Sequence, residues 1–423
     1  MGASQRSDRP QHGSDSGGRQ DGERMSAASV PVGLKSSRLA VSAAYAAQGL
    51  GYAVVVTSLP ALKARQDVDD TVVSMLVLGV ALAAAAGSVL ANLVAVRFGS
   101  RAALALGLVI QAVALPVIAV PTPFAGFAAA FAVFGIGLGC VDAAAAMQGV
   151  AVQRAYGRHL LGGFFAAATA AAIAGALLVS LVAASALAAG IALTGAAAIA
   201  LAAGIVVARI GLRETPVDEA LPKAERARLP RAGIWVFGLV VLAVFVADSA
   251  VSTWSTVYLQ DDLAALAWIA PLGYAAYQTV VLVTRLVTDR LVTAIGRRRL
   301  VAIAAGVSAV GCAIVALIPL PGAAVAGFAL AGVSAGVLIP VTFGAAGELD
   351  PRHSDQVIAR VNLFNYAGAI LGAVVVGLLA DAPGLGPAFL LPAVALAAVL
   401  FAVPRFQTRT DAASTPGRSI RHR

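Results

Sequence analysis

Twelve long apolar segments constrain the fold of this chain more than any other feature of its sequence. A helix needs about 20 mostly apolar residues to cross the hydrocarbon core of a membrane. Segments of that kind lie at 39–59, 72–94, 102–120, 124–147, 160–182, 186–208, 233–258, 264–288, 300–318, 323–346, 358–380 and 386–403. Since only 12% of the residues are charged, too few polar side chains remain to cover a water-facing surface. The sequence therefore predicts an all-α polytopic membrane protein with twelve transmembrane helices.

The basic residues lie almost entirely on one side of the predicted helices. If the N-terminus is cytoplasmic, all but two of the 30 Lys and Arg residues, Lys63 and Arg65, fall in cytoplasmic loops and tails. By the positive-inside rule this asymmetry predicts a multi-pass protein of the inner (cytoplasmic) membrane, with both termini in the cytoplasm. The net charge of +9 is thus explained by topology, and we expect no nucleic-acid partner.

The chain divides into two halves of equal length around a charged linker. Residues 38–209 and 232–403 each contain six of the apolar segments, and 210–231 form the predicted cytoplasmic linker. Two six-helix halves are typical of transporters that rock around a site near the membrane midplane.

The two tails have the composition of disordered segments. Residues 1–37 and 404–423 are rich in Ser, Gly, Asp and Arg and are predicted to be disordered cytoplasmic tails. The sequence leaves open whether translation starts at Met1 or at Met25.

The sequence contains no pattern that indicates catalysis, a metal site or a cofactor. It has no P-loop, no zinc-protease motif and no Ser-His-Asp order, and both cysteines, Cys140 and Cys312, lie within apolar segments. Small residues such as Gly368 and Gly372 have the spacing that allows close helix packing, so we do not interpret the glycine-rich segments as phosphate loops. We therefore predict a protein that is not an enzyme and binds no metal or cofactor.

Several short motifs carry a resemblance to a known family. The loop Val96-Arg97-Phe98-Gly99-Ser100-Arg101 and its second-half counterpart, Asp289-Arg290 with Gly296-Arg297-Arg298-Arg299, resemble the loop signature of the major facilitator superfamily. The segment from Gly137 to Asp142 and the segment from Asp248 to Asp261 are similar to the fourth and seventh helices of its fucose-permease-like branch and uncharacterised bacterial relatives. The resemblance implies the major facilitator fold and transport by alternating access.

The chain also departs from that family at three positions. Val96 replaces the acidic residue of the loop signature, Ala146 replaces an Asn of the relatives, and Val56 replaces an acid of fucose permease. The two-acid proton relay of that permease therefore does not carry over whole.

Two acidic residues lie inside apolar segments, and we predict that they couple transport to protons. A charged residue in hydrocarbon costs at least about 2.5–3.5 kcal/mol, so Asp142 and Asp248 should face the interior of the bundle. A carboxyl group that alternates between its charged and neutral forms there is suited to proton coupling. A structural ion pair for Asp142 and a helix-packing network for Asp248, which shares a helix face with Ser252 and Ser255, remain open.

Three polar stripes at helical spacing are predicted to bind the substrate. They consist of Tyr45, Gln48 and Tyr52, of Tyr274, Tyr277 and Gln278, and of Asn362, Asn365 and Tyr366. Polar contacts between helices are the alternative for all three stripes, and for the second an aromatic belt at the membrane interface. Trp254 and Tyr258, near the outer end of the seventh segment, are expected to be interface anchors rather than gating residues.

Charged residues near the cytoplasmic ends are predicted to act in gating. They are Arg97, Arg101, Arg285, Asp289, Arg290 and Arg297, of which Arg285 lies deep enough to hold an anionic substrate group or an acid such as Asp142. Ion pairs at these helix ends would bias the conformational equilibrium, and determination of topology alone is the alternative.

Together these features predict a monomeric secondary active transporter that lies in the lipid bilayer and moves a small organic solute, coupled to protons. The cavity expected from the sequence is poor in polar side chains, which favours export of a metabolite or drug-like compound. A proton-coupled sugar or polyol importer, an uncoupled facilitator and a non-transporting membrane sensor or scaffold are the alternatives.

Overall fold

The helices of the computed structural model follow the apolar segments of the sequence. The structure describes residues 32–157, 160–183, 188–213, 229–350, 353–380, 382 and 384–406. Most of both predicted tails and of the predicted linker lies outside these residues.

Twelve helical segments, named α1 to α12 in chain order, run back and forth through the bundle. They are α1 (Val32–Thr57), α2 (Asp70–Phe98), α3 (Ser100–Ala119), α4 (Phe124–Tyr156), α5 (Leu161–Val182), α6 (Ala188–Ile210), α7 (Arg231–Val257), α8 (Ala270–Ile295), α9 (Arg297–Leu317), α10 (Pro321–Gly347), α11 (Ser354–Ile370, continued by Leu371–Val375 and Val376–Leu378) and α12 (Leu385–Ala388, Leu390–Ala398 and Val399–Phe406). A short helix, Leu59–Gln66, connects α1 to α2, and a wide turn, Tyr258–Asp262, extends α7. We call the face with the start of α1 and the end of α12 the terminal face, and the opposite face the distal face.

Eleven of these helices are both long and apolar enough to cross a membrane. The twelfth, α8, has 26 residues but carries Arg285, Asp289 and Arg290, which lower its hydropathy. A helix of that length extends about 39 Å, more than the roughly 30 Å hydrocarbon core. The prediction of an all-α, twelve-helix membrane fold is confirmed, and α8 is its least apolar member.

The ends of the bundle differ from the predicted tail boundaries. Helix α1 begins at Val32, so the expectation of disorder up to residue 37 is wrong for this last part. The hydroxyl of Ser37 donates to the carbonyl oxygens of Gly33 and Ile210, at 3.0 and 3.1 Å, and so attaches this turn to α6. At the other end, α12 continues through Phe406, which is buried against Phe237.

Glycines allow the helices to approach each other closely. A Cβ atom at Gly139 of α4 would overlap the carbonyl group of Ala84 on α2, and Gly135 meets Val80 in the same way. On α11, Gly368 and Gly372 lie against the backbone of α7. These contacts support the interpretation of the glycine stripes as packing surfaces.

The aromatic residues near the distal end of α7 are not interface anchors. Trp254 is fully buried, and its indole N–H donates to the carbonyl oxygen of Ala373 at 2.7 Å. Tyr258 is 3% exposed and donates to the carbonyl oxygen of Val315 at 3.1 Å. The expectation of membrane-interface anchoring is therefore wrong for both residues, since each connects α7 to another helix of the second half.

Substitution of Gly139 tests the close approach of α2 and α4. We expect Gly139→Ala to lower the free energy of unfolding by about 1–3 kcal/mol, the usual cost of overpacking a dense interior. The matched control is Gly306→Ala on α9, where an added Cβ meets nothing within 4 Å. Thermal unfolding in detergent should show a lower Tm for Gly139→Ala only; equal Tm values would contradict this packing.

Candidate functional site

A cavity of about 300 Å³ lies between the two halves of the bundle. It is lined by α1, α4 and α5 of the first half and by α7 and α8 of the second. Nine of its 14 lining residues have polar side chains: Tyr45, Gln48, Tyr52, Asp142, Thr169, Asp248, Ser252, Tyr274 and Gln278. The remaining five are Gly49, Leu138, Phe165, Ala168 and Ala172.

On the first half, a chain of hydrogen bonds ends at Asp142. The side-chain amide of Gln48 donates to Oδ1 of Asp142 at 2.8 Å and to the carbonyl oxygen of Leu138 at 3.3 Å. Gln111 on α3 donates in turn to the amide oxygen of Gln48 at 2.5 Å. Because both of its ends are engaged, Gln48 presents its amide nitrogen to the carboxyl group, which is exposed to the cavity.

On the second half, Asp248 occupies a comparable setting. The hydroxyl of Tyr277 donates to Oδ1 of Asp248 at 2.6 Å. Next to it, the amide of Gln278 donates to the hydroxyl of Tyr274 at 2.7 Å. Tyr274 and Tyr277 are 1% and 0% exposed, so they lie inside the bundle and not in an interfacial belt. Each half therefore contributes one carboxyl group held by an uncharged donor.

Arg285 lies at mid-depth, between the halves. Its guanidinium group lies 3.4 Å from the hydroxyl oxygen of Thr169 on α5, and it interacts electrostatically with Asp248. No ion pair involves Asp142 or Asp248 among the described residues. The predicted pairing of Arg285 with Asp142 is thus not formed in this conformation.

Four of the predicted binding residues do not line the cavity. Tyr277 is fully buried behind Asp248. On α11, Asn362 and Asn365 are half-buried and Tyr366 is 61% exposed, while the opposite side of the helix packs on α7 through Gly368. The α11 stripe therefore stays a prediction that no cavity contact supports.

The charged residues of the terminal face pair differently from the predicted pattern. Arg97, Asp289 and Arg290 are exposed, and Arg101 is half-buried. Arg297 forms two hydrogen bonds, of 2.6 and 2.8 Å, with Glu348 just after the end of α10. Hydrogen bonding from this guanidinium group lowers the pKa of Glu348. The partner of Arg297 is therefore Glu348, because this acid lies beside the first turn of α9.

An ion-pair cluster connects the halves at the distal face. The ammonium group of Lys63 lies 2.6 Å from Asp70 of α2 and 2.9 Å from Asp261 of the second half. Burial opposes its charge, but hydrogen bonds to and the charges of both acids outweigh burial and raise the pKa of Lys63. Ser180 adds a second link at this face through its hydroxyl, which donates to the carbonyl oxygen of Trp268 at 2.5 Å. These contacts close the cavity toward the distal face.

Sequence reasoning missed several residues of the site. Gln111 and Thr169 are single polar residues in apolar helices, and Phe164 and Phe165 contact the ring of Tyr45 at centroid distances of 5.7 and 5.4 Å. A lone Gln inside a membrane helix was the available indication for Gln111, because a buried amide needs a partner.

Comparison with known proteins identifies the family. The family model described as Major Facilitator Superfamily matches residues 41–292 and 263–422. The chain belongs to this superfamily. An uncharacterized MFS-type transporter of Yersinia pestis is 27% identical over 84% of this chain and 91% of its own length. The membrane protein MosC of Rhizobium meliloti is 30% identical over 37% of this chain and 38% of its own length.

Solved structures of the superfamily have the same fold. The nucleoside transporter NupG is similar with a TM-score of 0.70 at 13% identity, over 88% of this chain and 100% of that one. The xylose transporter XylE from E. coli gives 0.66 at 14% identity, over 89% and 100%. The E. coli fucose:proton symporter FucP gives 0.59 at 14% identity, over 88% and 98%. The major facilitator fold that the sequence motifs suggested is confirmed, and the chain is a transporter of this superfamily.

The role of Gln111 is testable without a known solute. Gln111→Leu removes the donor that orients Gln48, so we expect a hydrophobic carbodiimide to label Asp142 faster, by about fivefold if one hydrogen bond of about 1 kcal/mol is lost. Labelling is measured by mass spectrometry of the Asp142 peptide.

Gln148→Leu is the matched control. Gln148 is equally buried in the same half, but it donates to Ser100 and Leu212, away from the cavity. Equal labelling of Asp142 in the native protein and in Gln111→Leu would show that Gln111 does not position Gln48.

Proposed function

We propose that the protein moves a small hydrophilic organic solute by alternating access, coupled to protons through Asp142 and Asp248. The observation that carries this proposal is that each half supplies one carboxyl group to the same cavity. When the halves rock, the environment of both groups changes together with access to the solute.

The surroundings of the two acids favour a change of protonation during the cycle. Their partners are the uncharged donors Gln48 and Tyr277, and a charge deep in the bundle is costly without a cation beside it. The same groups tolerate a neutral carboxylic acid, since it still accepts these hydrogen bonds. Loading and release of protons therefore requires no breakage of an ion pair.

The size and lining of the cavity indicate the class of solute. Drug-sized ligands occupy pockets of about 300–1,000 Å³, and this cavity is at the lower limit. Its many hydroxyl, amide and carboxyl groups need partners, so an apolar compound would leave them unsatisfied. Two carboxyl groups disfavour an anion. We therefore propose an uncharged or cationic polar metabolite and not a bulky drug.

The direction of transport has a different basis from the one that the sequence suggested. The expectation of export depended on a cavity poor in polar groups, and nine of the 14 lining residues are polar. An importer of a polar solute fits the lining equally well. We keep the terminal face as the cytoplasmic side of an inner membrane, on the distribution of basic residues, and the monomeric state and the absence of catalysis as predictions.

Proteoliposomes with an internal pH dye test the coupling. In a screen of sugars, polyols, nucleosides and amines, we expect one class to move protons together with solute, in either direction. Asp142→Asn and Asp248→Asn should each lower coupled flux at least tenfold, because neither amide carries the proton. Exchange of labelled for unlabelled solute at equal pH should persist.

Asp289→Asn is the control for these variants, since this exposed acid lies at the terminal face, away from the cavity. Solute flux that ignores the pH gradient in the native protein would favour the uncoupled facilitator. Coupled flux that survives both Asn substitutions would contradict the assignment of the protons to these acids.

A further inference from the structure

We propose that a groove on the outside of the second half binds one acyl chain of an anionic phospholipid, with the lipid phosphate at Arg405. The groove has a volume of about 420 Å³, larger than the central cavity, and lies between α7 and α12. Its residues include Leu239, Ala243, Ala398, Phe401, Ala402 and Arg405.

The length and depth of the groove match one leaflet. On α12 it runs from Ala395 to Arg405, a rise of about 15–20 Å at 1.5–2.0 Å per residue. Half of a hydrocarbon core of roughly 30 Å is about 15 Å. Because Arg405 is in the last turn of α12, the groove begins at the terminal face and ends near the bilayer centre.

The chemistry along the groove changes in the same direction. All of its lining residues are apolar except Arg405, which is exposed at the terminal end. Phe401 is 89% exposed beside the groove, and small residues such as Ala398 and Ala402 leave space between the helices. A long apolar slot that ends in one cation is complementary to an acyl chain that ends in a phosphate.

The protein's own C-terminal segment is a poor occupant of the groove. Residues 407–423 follow α12 directly, but their aliphatic side chains are limited to Ala412, Ala413 and Ile420. Four arginines, Arg409, Arg418, Arg421 and Arg423, lie in the same stretch and add to the positive charge near Arg405 in the sequence. Anionic lipid is attracted by such clusters, whereas a zwitterionic lipid is not.

Trp235 provides a local probe of this lipid. It is 60% exposed and precedes the groove residue Leu239 by one helical turn. The chain has three tryptophans; Trp254 is fully buried, and Trp268 is 52% exposed near the distal face. The full chain with Trp268→Phe therefore reports fluorescence quenching by brominated lipid at Trp235.

The experiment compares dibrominated phosphatidylglycerol with dibrominated phosphatidylcholine in vesicles of dioleoylphosphatidylcholine. We expect about fivefold stronger quenching of Trp235 by the anionic lipid, equivalent to about 1 kcal/mol for one basic residue. Arg405→Gln should reduce this ratio to near one, and Arg405→Lys should retain most of it. Arg209→Gln, an exposed arginine in the last turn of α6, should leave it unchanged.

A second variant separates the apolar part of the site from the charge. Ala398→Phe narrows the groove and keeps Arg405, so quenching by both lipids should fall. Equal quenching by the two lipids in the native protein, or a fivefold preference that survives Arg405→Gln, would overturn the proposal. Quenching by neither lipid, with a dependence on protein density, would show that a second copy of the chain covers the groove.

Discussion

The structure depends on the cost of placing polar and charged groups in hydrocarbon. Asp142, Asp248 and Arg285 lie within membrane helices, where a charge facing lipid is costly. The fold removes this cost by arranging α1, α4, α5, α7 and α8 around a shared cavity. Helix α8, the least apolar of the twelve, therefore contributes Tyr274 and Gln278 to the interior instead of lying on the lipid surface.

Close helix packing keeps this polar cavity narrow. Gly49 of α1 lies directly against the backbone of Ala168 on α5, so two helices that line the cavity meet without an intervening side chain. Gly332 of α10 approaches the carbonyl of Tyr277 in the same way, which fixes the ring that donates to Asp248. Small residues therefore position the functional side chains, although they take no part in the chemistry themselves.

Much of the architecture could be predicted from the sequence because apolar length is a local property. The twelve segments, the glycine stripes and most of the cavity residues on α1, α4, α7 and α8 follow from spacing along single helices. Contacts between helices could not be predicted in this way. Gln111, Thr169 and Glu348 each act through a partner on another helix, and Trp254 has an indole whose acceptor is on α11.

The α11 stripe shows the limit of the same reasoning. Asn362, Asn365 and Tyr366 have helical spacing like that of Tyr45 and Gln48, but the rotation of a helix about its axis is set by its neighbours. On α11, the glycine contacts with α7 set this rotation and leave Tyr366 mostly exposed.

The central claim is that the two halves enclose one cavity and that its access alternates between the faces. Lys63 and Asp261, 2.9 Å apart across the distal face, allow a direct test through Lys63→Cys with Asp261→Cys. The native Cys140 and Cys312 are buried and do not compete for oxidation. If the account is correct, oxidative cross-linking holds the distal face closed and stops solute exchange in proteoliposomes, and reduction restores it. Exchange at the same rate in the cross-linked and reduced protein would contradict the account.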